Sequence, residues 1–364
     1  MSQVECKSGV MLEESIMQKG KPACAGSKIL EGFTAPFDAE VAVRLAEKGI
    51  PIAGRVGMDE FGISPISADR LCKLSPAVKA VLDGAADFAL CNDVFGKQRR
   101  QSAENGVCYI HPSYGTVSRH GLIPMACSMD QIGVVCKSVS EGFGLLSTIA
   151  GHDPKDGAMF PAQSYPYARQ DKPLRIGLPG DVISRAQPEA QKSIAELAGR
   201  FDIVDACLDY FDVYKQVMYI LASAEISGNT NRYDGIKFGF RAEGYKGVDD
   251  LYLKTRTQGF GPDTKLAAIM GAMALSQDHY TAYYEKAMKI RRLIKQSLRF
   301  DLYDIIILPT AISEHPYDNL ALFALAPLAG LPCVSFSHAG QGVQLIADTR
   351  NESALRAAWE VAIS

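Results

Sequence analysis

Three features of the 364-residue sequence predict an α/β fold. Helical and extended segments alternate from end to end, one continuous apolar run entered from an aspartate and stopped by proline reads as a strand buried on both faces, and no tandem repeat or Ser/Pro-rich linker divides the chain. A single domain over residues 1–364 is therefore expected. In order, Asp38 is placed to cap a helix running to about Lys48, Gly49 stops it, and Ile50–Val56 follows as a short strand. Ser75-Pro76 pairs an N-cap with proline at the first helical position, Gly84 closes that helix, and Phe88–Leu90 continues extended. Ser138 and Glu141 have capping-box spacing ahead of the apolar stretch Phe143–Ala150. Leu174–Leu178 reads as a strand before a helix at Pro188–Ala198, and Asp304–Leu308, stopped by Pro309, is the doubly buried strand.

Composition narrows the function classes. Lys plus Arg total 38 against 41 acidic residues, a formal charge of −3, so the global basic excess of a general nucleic-acid binder is absent and direct nucleic-acid binding is not expected. With 47% hydrophobic and 22% charged residues the chain can bury a large core without metals or disulfides. No apolar run reaches the roughly eighteen residues of a membrane span. The opening MSQVECKSGVMLEES has acids where a secretory signal would have a basic and then an apolar block, so a cytoplasmic protein is expected. Nine cysteines, odd in number and never in a C-x-x-C pair, fit reduced thiols, and the six histidines lack ligand spacing. Neither a metal nor another cofactor is expected.

Several residues admit a chemical and a plain reading. The basic run Lys97–Arg100 could hold an anion, but with the overall negative charge a solvated loop is expected. Ser75, Ser102, Ser113 and Ser118 could be nucleophiles, yet no motif places a base beside them, so a cap and turn contacts are expected. Cys91 and Cys108 are expected to be buried and inert, and Tyr233–Gly235 to form a turn.

Longer strings carry more. GSKILEGFTAPFDAEVAVRLAEKGIPIAGRVGMDEFGI, PSYGTVSRHGLIPMACSMDQIG and AGHDPKDGAM in the first half, then ASAEISGNTNRYDGIKFGFRAEGY, KTRTQGFG, YTAYYEKAMKIRRLIKQ, DIIILPT and LAGLP, run collinearly from about Gly9 to the last helix. They resemble the amidase signature family, and within it the amidase subunits of tRNA-dependent glutamine amidotransferases. The resemblance implies a large, mixed, mostly parallel central sheet covered by helices on both faces. It also implies release or transfer of the amide nitrogen of substrates such as glutamine. In that chemistry a neutral lysine acts through a bridging serine on a nucleophilic serine, and backbone amides of a glycine-rich loop hold the oxyanion.

Carried onto this sequence, the family's machinery is missing. Counting back from Ser27, the lysine position holds Glu13; the bridging serine, in the KLSP string, is Lys73; the nucleophile, in NDVFGKQR, is Lys97. The former oxyanion loop keeps Asp93, Gly96 and Arg99. Two pocket positions that would grip an amino acid's charged groups hold Ala267 and Leu320, removing the bidentate carboxylate clamp at the first. A Lys–Glu–Lys ion cluster filling the cleft is the expectation for Glu13, Lys73 and Lys97. Relative to the family the chain is shortened before Gly9, between Phe61 and Ser75, and near Ala311–Leu320 and His338–Gln344.

The expected function is that of an amidase homologue without amide hydrolysis, a pseudoenzyme with a binding or assembly role. As partners, a second copy or amidotransferase-type subunits are expected, with no small-molecule ligand identified. Two alternatives stand: an active amide hydrolase with a relocated nucleophile, and a non-catalytic subunit of an amidotransferase complex.

Overall fold

All five residues of Ile305–Pro309 are buried, and their side chains alternate between two apolar layers: Ile305 and Ile307 enter one, Ile306 and Leu308 the other. That alternation is the period of a strand with helices on both faces. The computed structural model describes residues 7–63, 72–161, 165 and 167–364. The strands are β1 (Val10–Glu13), β2 (Ile52–Val56), β3 (Phe88–Asn92), β4 (Cys108–His111), β5 (Ile132–Cys136), β6 (Arg175–Leu178), β7 (Asp202–Asp205), β8 (Ile305–Pro309), β9 (Cys333–His338) and β10 (Gln341–Ala347). They form one ten-stranded sheet in the order β2-β1-β3-β5-β4-β9-β10-β8-β6-β7.

The helices are α1 (Glu40–Glu47), α2 (Pro76–Leu82), α3 (Lys97–Glu104), α4 (Val139–Ile149), α5 (Gly180–Ile183) and α6 (Pro188–Ala198). They continue as α7 (Tyr214–Thr230), α8 (Val248–Gly259), α9 (Pro262–Ala274), α10 (Lys286–Ser297), α11 (Leu320–Ala329) and α12 (Glu352–Ile363). Apolar residues of α1, α4, α6 and α12 pack into one layer. Those of α7, α9, α10 and α11 pack into the other, and α11 is buried at every position. Among the described residues no helix is long and apolar enough to cross a membrane.

The sheet is mixed, but its parallel share is smaller than the resemblance implies. Five of the nine pairings are antiparallel and occupy the middle, from β3 to β8. The four parallel ones lie at the two ends. The helix at Pro188–Ala198 and the cap at Ser75, whose Oγ accepts from Ala77 N, match the sequence reading. Asp38 does not cap α1: Ala39 takes that place, and the Asp38 carboxylate accepts from Lys19 N at 2.7 Å. Ser138 precedes α4 without a side-chain capping bond. The segment between Phe61 and Ser75, where the sequence reads as shortened, includes residues 64–71, which lie outside the described residues.

Candidate functional site

The site forms where the ends of β1 and β3 lie side by side, with Leu12 level with Leu90 in the parallel register. Beyond β3, Asp93 turns the chain into α3. Its carboxylate accepts from the backbone N–H groups of Gln98 (3.1 Å) and Arg99 (3.0 Å), placing an anion at the positive end of the helix. Gly96 starts the helix at φ +85°, and a Cβ there would run into the Phe323 side chain. Glycine is therefore required twice over, by dihedral and by space.

Arg99 is wholly buried, and its guanidinium is spoken for. Nε meets Asp93 Oδ2 at 3.0 Å, Nη1 donates to Phe323 O at 2.9 Å, and Nη2 donates to the carbonyls of Asp93 (3.1 Å) and Val94 (3.2 Å). Asp93, Gly96 and Arg99 are thus brought together as the frame of the turn. The solvated loop expected for Lys97–Arg100 is corrected: these residues open α3, and Gln98, Arg99 and Arg100 are buried because α3 packs against β4, β9 and β10.

Glu13 ends β1 and is buried. Oε2 accepts from Asn92 N at 3.0 Å and from Ser15 Oγ at 3.1 Å, and Oε1 accepts from Gln98 Nε2 at 3.3 Å. No lysine or arginine touches it among the described residues. Burial raises its pKa to about 8; the bonds from Asn92 and Ser15 oppose the rise, and the nearby Asp93 and Asp59 add to it. At neutral pH the carboxyl is mostly protonated. The Gln98 Oε1 beside it has no partner, so turning the Gln98 amide would let it accept that proton's hydrogen bond.

Lys97, at the first position of α3, directs Nζ to Asp59 Oδ2 at 2.6 Å, a mostly buried ion pair. Lys73 is exposed, and among the described residues its contribution here is its carbonyl, which accepts from Gln101 Nε2 at 2.9 Å. The Lys–Glu–Lys cluster is therefore corrected. Glu13 and Lys97 line one cavity, Lys73 is not among its walls, and among the described residues the anion that meets Lys97 is Asp59. The reason is desolvation: a neutral Glu13 needs no cation, and an ammonium at Lys73 is better solvated outside.

Ser75 is the one hydroxyl among the described residues lining this cavity, and its Oγ is engaged by Ala77 N at 3.3 Å. About 20 Å³ of space remains, room for about one water. Ala267 and Leu320 are both buried in the apolar layer of α7 and α11. Ser102 is buried within α3, and Ser113 and Ser118 hold Arg350 N and Asp153. Cys91 and Cys108 are buried, and burial pushes the Cys108 thiol up to about 12. Among the described residues no cluster of His, Cys, Asp and Glu could hold a metal.

Sequence reasoning missed Asp59 and Glu60, which adjoin in the GMDEF string. Glu60 accepts from Ser27 Oγ (2.5 Å), Gly261 N (2.8 and 3.0 Å) and Thr264 Oγ1, binding the SKILEG string to the start of α9. Two adjacent acids after a strand were the available signal, but their partners lie far off in sequence.

A family model described as Amidase matches residues 10–70 and 79–321. The A subunit of glutamyl-tRNA(Gln) amidotransferase from Lachnoclostridium phytofermentans is 36% identical over 365 residues, covering 90% of this chain and 74% of that protein. In fold, the crystal structure of the corresponding A subunit from Thermotoga maritima aligns with a TM-score of 0.73 at 24% identity, over 96% of this chain and 81% of that one. A 6-aminohexanoate cyclic dimer hydrolase complexed with substrate aligns at 0.77 with 18% identity, over 97% and 83%. By its matched sequence and by its sheet, the chain belongs to the amidase signature family.

Proposed function

We propose that this chain is an amidase-signature protein that does not hydrolyse amides and serves in binding or assembly. One observation carries the reading: Lys97, which the resemblance places on the family's nucleophile, has its ammonium paired with Asp59. An ammonium in an ion pair has no lone pair with which to attack a carbonyl. A free base for a displaced hydroxyl is not among the described residues of the cavity either: Glu13, raised to about 8, mostly keeps its proton at neutral pH, Asp59 and Asp93 are paired with Lys97 and Arg99, and Lys73 is outside the cavity. The small residual space and the apolar Ala267 and Leu320 further oppose binding of glutamine as a charged amino acid.

The proposed setting is cytoplasmic, with a second copy or amidotransferase-type subunits as partners; the amidotransferase relatives are themselves named as subunits, which supports the latter. Ammonia release from glutamine and from simple amides tests the reading. None above a no-protein control is expected, and turnover abolished by Ser75→Ala would establish a relocated nucleophile instead.

A further inference from the structure

A second cavity, of about 420 Å³, lies at the Gly330 end of α11, whereas Leu320 begins that helix at the opposite end. Among the described residues it shares no lining with the Glu13–Lys97 cavity. Its size is that of a small-molecule site. Three cations of one helix line it, Arg291, Arg292 and Lys295 of α10, and no aspartate or glutamate among the described residues does.

Arg291 is held in place entirely by neutral acceptors. Nε donates to Leu328 O at 2.7 Å, Nη1 to Ser128 Oγ at 2.8 Å, and Nη2 to Ser128 O at 3.0 Å. The Glu225 carboxylate, whose charge Arg291 feels, is itself occupied by the Ser128 N–H and hydroxyl. Burial pushes the Arg291 guanidinium down, with Glu225 offsetting only part of the cost. Arg292 and Lys295 are exposed and make no ion pair with any described residue. Arg350, which follows the lining residue Thr349, sits in the left-handed region at φ +66°, its guanidinium 5.4 Å from the lining Phe160 ring and its Nε without a partner among the described residues. Tyr114, Phe160 and Leu328 make the rest of the wall largely apolar.

A partly desolvated cation with no contacting anion, beside two unpaired cations in one concave site, is an arrangement that an incoming anion completes. A single carboxylate would leave two of the three lining charges unmatched. We propose that this cavity binds a phosphate ester, its phosphoryl oxygens meeting Arg291, Arg292 and Lys295 and its organic part lying against Tyr114 and Phe160. The site is independent of whether the Glu13–Lys97 cavity is catalytic.

Calorimetric titration of the full chain at low ionic strength tests it, with phenyl phosphate, inorganic phosphate, acetate and a short RNA oligomer as probes. Saturable one-site binding of phenyl phosphate, tighter than inorganic phosphate, is expected. Arg292→Gln and Lys295→Gln, both on the surface and expected to leave the Tm unchanged, should each weaken it about tenfold, the loss of one charge-assisted bond. The proposal is overturned if phenyl phosphate does not bind saturably, if the double variant binds as well as wild type, if inorganic phosphate or acetate binds as tightly, or if the oligomer binds more tightly through these residues.

Discussion

Lys97 Nζ lies 2.6 Å from Oδ2 of Asp59, so the residue proposed to stand at the family's nucleophile position is one half of an ion pair. Each member is mostly shielded, with side-chain exposures of 11% and 23%, which puts the pair between a surface bridge and a buried one.

Lys97→Met and Asp59→Asn should each destabilise the fold by about 1–3 kcal/mol, the cost of an unsatisfied, partly buried polar partner. Their double mutant should cost less than the sum, by about 1 kcal/mol. Urea unfolding of the four proteins measures the coupling; strict additivity would show that the pair contributes nothing.

Glu13 gives the protein a defined pH dependence. Its pKa rises from an ordinary 4.5 to about 8 in the folded chain. The native state keeps a proton that the unfolded chain releases, so its contribution to stability is full below about pH 4.5 and declines up to about pH 8. Glu13→Gln, which can accept from Asn92 N and donate to Gln98, should flatten that slope. The variant should converge with wild type toward about pH 4 and exceed it at pH 8 by on the order of 2–4 kcal/mol. Denaturation midpoints of the two proteins across this range check it; a wild-type excess at pH 8 would mean that Glu13 is ionised and held by a cation.

The Asp93–Arg99 pair should be the most costly to break. Arg99→Met leaves Asp93 buried with the two α3 N–H groups but no cation, and frees three carbonyls, those of Asp93, Val94 and Phe323. A loss of about 3–5 kcal/mol is expected. Arg99→Lys keeps the charge but not the fork of donors and should recover less than half of it, as read by thermal unfolding.

Gly96→Ala places a Cβ against Phe323 at a left-handed dihedral. Strain of about 1–2 kcal/mol for the dihedral and 1–3 kcal/mol for the overlap should add. Gly106→Ala, also at positive φ but with nothing within 4 Å of the new Cβ, should show the dihedral cost alone. Equal losses in the two variants would show that Phe323 yields freely.

Local chemistry was legible in the sequence wherever a residue's partners lie nearby. Pro188–Ala198, the Ser75 cap and the doubly buried β8 announce themselves by period and by punctuation. Asp38 misleads because its carboxylate finds a more distant donor, Lys19 N. The antiparallel middle of the sheet is invisible because β4 and β9 meet across more than 220 residues. Glu13, Lys97 and the Asp93–Arg99 turn could be assigned positions by resemblance, but the partners that fix their charge state could not. Asp59, Gln98 and Ser15 decide those, and Lys73 leaves the group because an exposed ammonium is better solvated than a buried one.

The most direct measurement is intact mass after treatment of the native protein with a serine-directed fluorophosphonate. Unmodified mass is predicted, because the proposed reading puts Lys97 and Glu13 at the nucleophile and base positions, and the one hydroxyl lining the cavity among the described residues, that of Ser75, is engaged by Ala77 N. Stoichiometric addition of one phosphonyl group, lost when the labelled serine is replaced, would contradict the non-catalytic reading.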